Sequence, residues 1–343
     1  MRSMRRAAAL ATTLLALVVA PDAPAAIPAA LGSWNLADQR AVAEAGLLPP
    51  LGDGELHGER PVAGTQARVA LAGLAAELGL APVAGVPRGR LSVLAFDAQL
   101  VAQLGMADVA AAVQREARRA GLRPPARFGT EVVARMLGLR HDHPDGSDAL
   151  ELYPWEAITR AEAAWSLARA RAFADGAGPG LVRTALQRFV LPAYTPRQLR
   201  ALRVAVARIG MPYIWGGETD RRSGFFGGQA HGGYDCSGFA WRVFKLAGLP
   251  AGPQLGGRTA AGQAGEIPRA ERIAAADVAP GDLVFFGRGR FWQRATEKRI
   301  THMGLALSPD FMIHSSSSYG GVSVAPLFTP TSAREFSWAR RLR

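Results

Sequence analysis

A single cysteine, Cys236, stands in a chain of 343 residues. That excludes an intramolecular disulfide framework and any cysteine-rich zinc site, so the fold rests on its core and the thiol is a spare, inert or reactive one. The length is about two domains at ~100 to 200 residues each. A hydrophobic share of 49% with 20% charged residues excludes a disordered or collagen-like chain and fits a globular protein.

Forty basic against 28 acidic residues leave a net charge of +12, which at face value suggests nucleic acid or an anionic surface as partner. Only Lys245 and Lys298 are lysines, and the arginines are scattered along an alanine- and glycine-rich chain, a bias of the kind a GC-rich genome produces. No arginine run is interleaved with aromatics, so no nucleic-acid partner is expected. An anionic surface stays open.

The N-terminus has the pattern of an export signal. Arg2, Arg5 and Arg6 precede an uncharged stretch from Ala7 to Ala20, and Ala23-Pro24-Ala25 follows with small residues at both recognition positions. Those fourteen residues are shorter than the ~20 that a membrane span needs, and no later run is as apolar. Residues 1–25 are therefore expected to be removed, which takes three arginines and Asp22 with them and lowers +12 to +10. A secreted or wall-associated protein without a membrane span is expected.

Residues 33–175 read as short helices separated by turn clusters, and comparing the stretch with itself reveals a repeat. Ala41 to Leu48 leads through Gly52-Asp53-Gly54 to Thr65-Gln66-Ala67-Arg68 and the periodic run Val69 to Leu78. Val132 to Leu139 leads through Pro144-Asp145-Gly146 to Thr159-Arg160-Ala161-Glu162 and Ala163 to Ala172. Each unit is a helix, an aspartate-glycine loop and a helix capped by threonine. In the second, Glu162 stands three residues after Thr159 as a capping box requires. The threonines are 94 residues apart, leaving room for a middle unit around 95–130. This pattern resembles the S-layer homology repeat. The resemblance implies a helical bundle that anchors to anionic cell-wall polysaccharide, with Arg160 where that family presents a basic side chain to the polymer. The first unit departs from it, with Gln66 for arginine and Arg68 for glutamate. A helical spacer whose Thr-Arg-Ala-Glu is only a good cap is the other reading.

Ala174 to Gly180 is a glycine-proline breaker and the expected boundary, with residues 176–194 as linker and connecting helix. Residues 195–343 then form the second domain. It opens with an amphipathic helix through Leu199, Leu202, Val206 and Ile209, ending at Gly210. Leu283–Phe286, Met303–Leu307 and Phe311–His314 are the clearest strands. The whole is expected to be α+β, helices with an antiparallel sheet behind a mostly helical repeat domain.

Cys236 falls in Gly232-Gly233-Tyr234-Asp235-Cys236-Ser237-Gly238-Phe239, immediately before a helical pattern. Unpaired amides at a helix start favour thiolate, and free cysteine titrates near ~8.5, so a lowered value is expected. The same amides can receive the oxyanion of acyl transfer. A cysteine nucleophile wants a histidine base oriented by a third polar group. His302 and His314 fall on two strands joined by Ser308-Pro309-Asp310. With that turn as the centre of a hairpin, residue 304 faces 314 and 302 is its diagonal neighbour on the same face. Gly304 leaves the space between them open. His302 is then the base and His314 the group that fixes its tautomer. The pair could instead be metal ligands, but no acidic residue is spaced to complete the set. No metal and no organic cofactor are expected.

Five motifs in order, Tyr213-Ile214-Trp215-Gly216-Gly217, Tyr234 to Phe239, Pro280 to Phe286, His302 to Leu307 and Met312-Ile313-His314, resemble the NlpC-type peptidases over about residues 195–327. These are papain-like cysteine endopeptidases that cut peptidoglycan stem peptides. The resemblance implies Cys236 as nucleophile, His302 as base and His314 as third residue. It implies Tyr213 beside the oxyanion site and Asp235 and Ser237 flanking the nucleophile in the substrate groove, although both also suit simple helix capping. The implied bond lies between D-glutamate and the diamino acid. An amidase or acyltransferase with the same dyad, or a mainly wall-binding structural protein, are the alternatives. Two inserts, after Gly217 and after Phe286, border the expected cleft as peptide-engaging loops or as lids.

Overall fold

The computed structural model describes residues 34–343 apart from 145, 175, 225 and 226. The expected export signal, residues 1–25, lies outside the described residues. In the N-terminal half the helices are α1 (Leu36–Glu44), α2 (Gly64–Glu77), α3 (Val93–Gln103), α4 (Ala107–Arg119), α5 (Phe128–Met136) and α6 (Arg160–Arg171).

The starts of α2, α3 and α6 meet at one point. Each is entered through an apolar residue and a cap position, Val62–Ala63, Leu91–Ser92 and Ile158–Thr159. The three apolar residues are buried. Their backbones bond in a ring: Val62 N–H to Ile158 O at 2.9 Å, Ile158 N–H to Leu91 O at 2.9 Å and Leu91 N–H to Val62 O at 3.5 Å. The ring pairs donors and acceptors that the surrounding side chains would otherwise seal from water. The middle of these helices begins at Val93, capped by Ser92, close to where room for a middle unit was expected.

Capping differs from expectation at Thr65 and at Glu162. Thr65 lies inside α2; the cap position is Ala63, whose N–H donates to Gln66 Oε1 at 2.9 Å. Thr159 does cap α6, accepting the Glu162 N–H at 3.2 Å. The Glu162 carboxylate does not return to the cap. It is buried between Arg140, at 3.3 Å, and His143, at 2.8 Å, because two cations compensate its desolvation better than one amide does.

The breaker ends earlier than expected. Gly176 takes a φ of +70°, and α7 (Ala177–Gln187) follows directly, with Pro179 in its first turn where a missing N–H breaks no helical bond. Next comes α8 (Pro196–Val206), capped reciprocally by Thr195 and Gln198. Two short ribbons fill the first insert: β1 (Glu218–Thr219) pairs with β4 (Gly233–Tyr234), and β2 (Ser223–Gly224) with β3 (Gly227–Gly228). After α9 (Cys236–Trp241), a π-helical turn over Arg242–Leu246 and α10 (Ala260–Gly265), the chain enters its main sheet.

That sheet is antiparallel, in the order β8-β7-β6-β5-β9. Its strands are β5 (Leu283–Phe286), β6 (His302–Ala306), β7 (Phe311–Ser316), β8 (Gly321–Pro326) and β9 (Phe336–Arg340), with α11 (Pro330–Glu335) before the last. Strand alternation shows in β5: Leu283 and Phe285 join the large core shared by both halves, while Val284 and Phe286 face a smaller cluster with Ala306 and Met312. The result is α+β, with a mostly helical N-terminal half. Helix α9 packs on β6 and β7, which brings Cys236 to the histidine strands.

Candidate active site

Asp235 is the cap of α9 and accepts the Gly238 N–H at 2.5 Å. A side chain at Gly238 would run into the Gly217 carbonyl, so its absence lets the helix start seat against the 212–217 turn. Ser237 Oγ donates to Asp235 Oδ1 at 2.9 Å. Both residues therefore shape the helix start, as the capping reading allowed. Sequence reasoning missed the residue that binds them together. Arg258 donates to Asp235 at 3.0 and 3.1 Å, to Ser237 Oγ at 2.9 Å, to Glu218 at 3.1 Å and to the carbonyls of Gly216 and Gly217 at 2.7 and 3.0 Å. One planar guanidinium thus joins the first insert, the helix start and the loop before α10.

The Cys236 sulfur faces the backbone N–H groups of Met303 and Ser237. Burial and the Asp235 charge nevertheless push the thiol up to about 12. This corrects the lowered value expected from the helix start, because desolvating a thiolate outweighs the pull of those amides and Arg258.

The histidine hairpin has the register inferred from its turn. Leu305 faces Ile313 and Ala306 faces Met312, which continues to Gly304 opposite His314. A side chain at Gly304 would press on Met312 Sδ and His314 Cβ, at 2.9 and 3.2 Å. Without one, His302 Nε2 reaches His314 Nδ1 at 2.7 Å. Burial pushes His302 down to about 4 and His314 well below its ordinary value, so both rings are neutral near pH 7. With Nε2 engaged, Nδ1 is the nitrogen that His302 has left for a proton from Cys236. On the far side His314 meets the Tyr319 ring edge to face at 5.3 Å, and its Nε2 is buried without a hydrogen-bond partner among the described residues.

Tyr213 is half-buried and bridges to Tyr234. Burial raises its hydroxyl, and the charges of Cys236 and Asp235 add to the shift. Asp142 and Asp148, from a loop of the N-terminal half, act on it in the same sense. Tyr153 ties the N-terminal half to the first insert, donating to Asp220 O at 2.9 Å and packing on His231 at 4.2 Å. Among the described residues no three His, Cys, Asp or Glu side chains cluster to hold a metal.

Arg160 does not face solvent. It is 3% exposed and donates to the carbonyls of Leu56, Pro49 and Leu48 at 2.7, 2.6 and 3.3 Å. Its position one residue after the cap aims the side chain back under the preceding loop, where carbonyls consume the donors a polymer would need.

Residues 210–341 match the sequence profile of the NlpC/P60 family. Over 133 residues the chain is 29% identical to a gamma-D-glutamyl-L-lysine dipeptidyl-peptidase of Bacillus cereus, covering 39% of this chain and 33% of that one. Over 137 residues it is 29% identical to the protein of the same name from Bacillus subtilis, covering 39% and 37%. The chain thus spans about a third of the length of these relatives. A crystal structure of an NlpC/P60 family protein from Bacillus cereus aligns at 25% identity, with a TM-score of 0.33, over 43% of this chain and 41% of that one.

Proposed function

We propose, with the NlpC/P60 match of residues 210–341 as premise, that this is an exported cysteine endopeptidase that hydrolyses the stem peptides of peptidoglycan. The observation that carries the reading is the 2.7 Å contact of His302 Nε2 with His314 Nδ1, one residue from the Met303 amide that faces the Cys236 sulfur. Cys236 attacks the amide carbon as its proton passes to His302 Nδ1. The imidazolium then protonates the leaving amine, the C–N bond breaks and a thioester remains. Water, deprotonated by His302, hydrolyses the thioester and restores the thiol. His314 Nδ1 accepts from His302 Nε2–H throughout, fixing the tautomer and steadying the imidazolium.

The names of the two Bacillus relatives favour the bond between D-glutamate and the diamino acid. Export is supported by the leader from Arg2 to Ala25. Anchoring of the N-terminal half to anionic wall polysaccharide is supported by the likeness of its two sequence units to S-layer homology repeats. With Arg160 buried, the contact would fall to other side chains. Mass spectrometry of muropeptides after incubation with the mature protein tests the reaction: new diamino-acid amines paired with D-glutamate carboxyls are expected. Cleavage at the glycan-linked amide would make it an amidase, and no cleavage would remove the reading. Pelleting of the full-length Cys236→Ala protein with purified walls, reversed by soluble wall polysaccharide, is the expected sign of anchoring; a protein left in the supernatant is a spacer-bearing enzyme.

A further inference from the structure

The seam between the two halves holds a groove that the reaction above does not use. One cavity, of about 390 Å³, is lined by His141, Asp142, Trp165 and Arg169 from the N-terminal half and by Ser317 and Ser318 from the turn after β7. A second, of about 450 Å³, shares Arg169 and Ser318 with it and extends past Leu181 to Tyr319. Both ends touch the catalytic site. Tyr319 packs on His314, and the turn after it is seated tightly between His141 and Pro212, the neighbour of Tyr213: a side chain at Gly320 would run into the His141 backbone and one at Gly321 into Pro212.

The groove is built around a fixed aromatic face. The Trp165 indole N–H donates to Gly138 O at 3.2 Å, which sets the ring plane. His141 packs against that ring at 4.1 Å, and Trp34 stacks on His141 at 5.4 Å and nearly parallel. The Arg169 guanidinium stands over the Trp165 ring, 5.7 Å from its centroid. A cation, a carboxylate and two hydroxyls thus line the same cavity as the indole. A pyranose ring suits this arrangement once the exposed Arg169 swings from the ring to the rim: the sugar's C–H face then covers the indole side that His141 does not take, while its hydroxyl and acetamido groups bond to the polar side chains around it. A peptide added as a strand would need a free strand edge, whereas helices and turns wall this groove.

We propose that the seam is a saccharide subsite, which seats the glycan strand bearing a stem peptide while that peptide lies in the Cys236 cleft. The inference rests on peptidoglycan being the substrate. It implies that the N-terminal half helps to select glycan-linked stems.

Calorimetric titration of the full-length Cys236→Ala protein with peptide-free glycan strands, chains of alternating N-acetylglucosamine and N-acetylmuramic acid, tests it without any cleavage. Saturable binding is expected, weakened about tenfold or more by Trp165→Ala and by Arg169→Ala, as for truncation of an aromatic or arginine anchor. Arg169 is exposed, so its replacement leaves a folded protein even if Trp165→Ala does not fold. No saturable binding, or equal binding by the Arg169→Ala protein, overturns the subsite. So does occupancy of the groove by a free stem peptide instead of glycan, which would make it a pocket for the peptide's amino end. With active enzyme, Arg169→Ala should lower the ratio of rates on glycan-linked and free stems; equal loss on both also overturns it. A protein that binds glycan but cuts neither substrate would instead refute the peptidase reading.

Discussion

Replacing Arg135 with alanine tests how the two halves are joined. The side chain is 3% exposed, and its partner Glu131 is fully buried at 0%. From α5, Arg135 Nε donates to Glu131 Oε2 at 3.1 Å, Nη2 to Gly210 O at 2.7 Å and Nη1 to Tyr319 O at 2.9 Å and to Gly320 O. Three backbone carbonyls of the C-terminal half thus hang on one N-terminal side chain. Alanine would strand the Glu131 carboxylate, whose other oxygen already lacks a hydrogen-bond partner among the described residues. Stranding one member of a buried ion pair costs about 3–5 kcal/mol. At a urea slope of about 2–3 kcal/mol per M, the midpoint should fall by about 1–2.5 M. A second variant separates charge from packing. With Glu131→Leu and Arg135→Met together no charge is buried alone, and only the carbonyls remain unpaired at about 1 kcal/mol each, so part of the loss should return. Urea denaturation followed by circular dichroism reads both. A single-variant loss below about 1 kcal/mol, the scale of an exposed pair, would refute the argument, and so would a double variant no better than the single.

Protonation of the dyad gives a second expectation. With Cys236 held up to about 12 and His302 down to about 4, the resting pair is neutral thiol and neutral imidazole across the physiological range. Iodoacetamide should then react slowly at pH 7 and about tenfold faster per pH unit towards the alkaline side; a rate that is flat from pH 5 to 8 would reveal a standing thiolate–imidazolium pair. Because the base must be neutral, kcat/KM should fall only as pH drops through about 4, and an acid limb near the ordinary histidine value of about 6.5 would contradict the burial argument. Arg258→Ala removes the cation that joins Asp235, Ser237 and Glu218, the last of them 2% exposed. A stability loss of about 2–4 kcal/mol is expected, with little rescue by lysine, which lacks the planar fork; thermal melting with kcat and KM checks it, and full rescue by lysine would show that charge alone suffices.

Much of the site was legible because its determinants are local. The Ser308–Asp310 turn sets the hairpin register, Gly304 marks the gap between the histidines, and a glycine-rich run before an apolar-periodic segment announces the Cys236 helix start. Strand β5 was readable from Leu283 to Phe286 as four consecutive apolar residues, buried on both faces. What escaped depends on contacts distant in sequence. Arg258 lies 23 residues from Asp235 in a loop without periodicity, one arginine among many. Arg160 was misplaced because a residue type and a motif position do not reveal that the preceding loop folds over the side chain. The thiol shift was reversed for a related cause: a helix start is visible in sequence, whereas the burial that opposes it is a property of the assembled core. Thr65 failed as a cap because Gln66 satisfies the same helix entrance one residue later.

The central claim, that Cys236 performs the chemistry, is tested most directly by comparing the protein with its Cys236→Ala variant on purified peptidoglycan and counting the amino groups released over time. Wild-type protein should release them steadily while the alanine variant stays at the level of the no-enzyme control, both having the same melting temperature. Release by the variant at the wild-type rate would contradict the account.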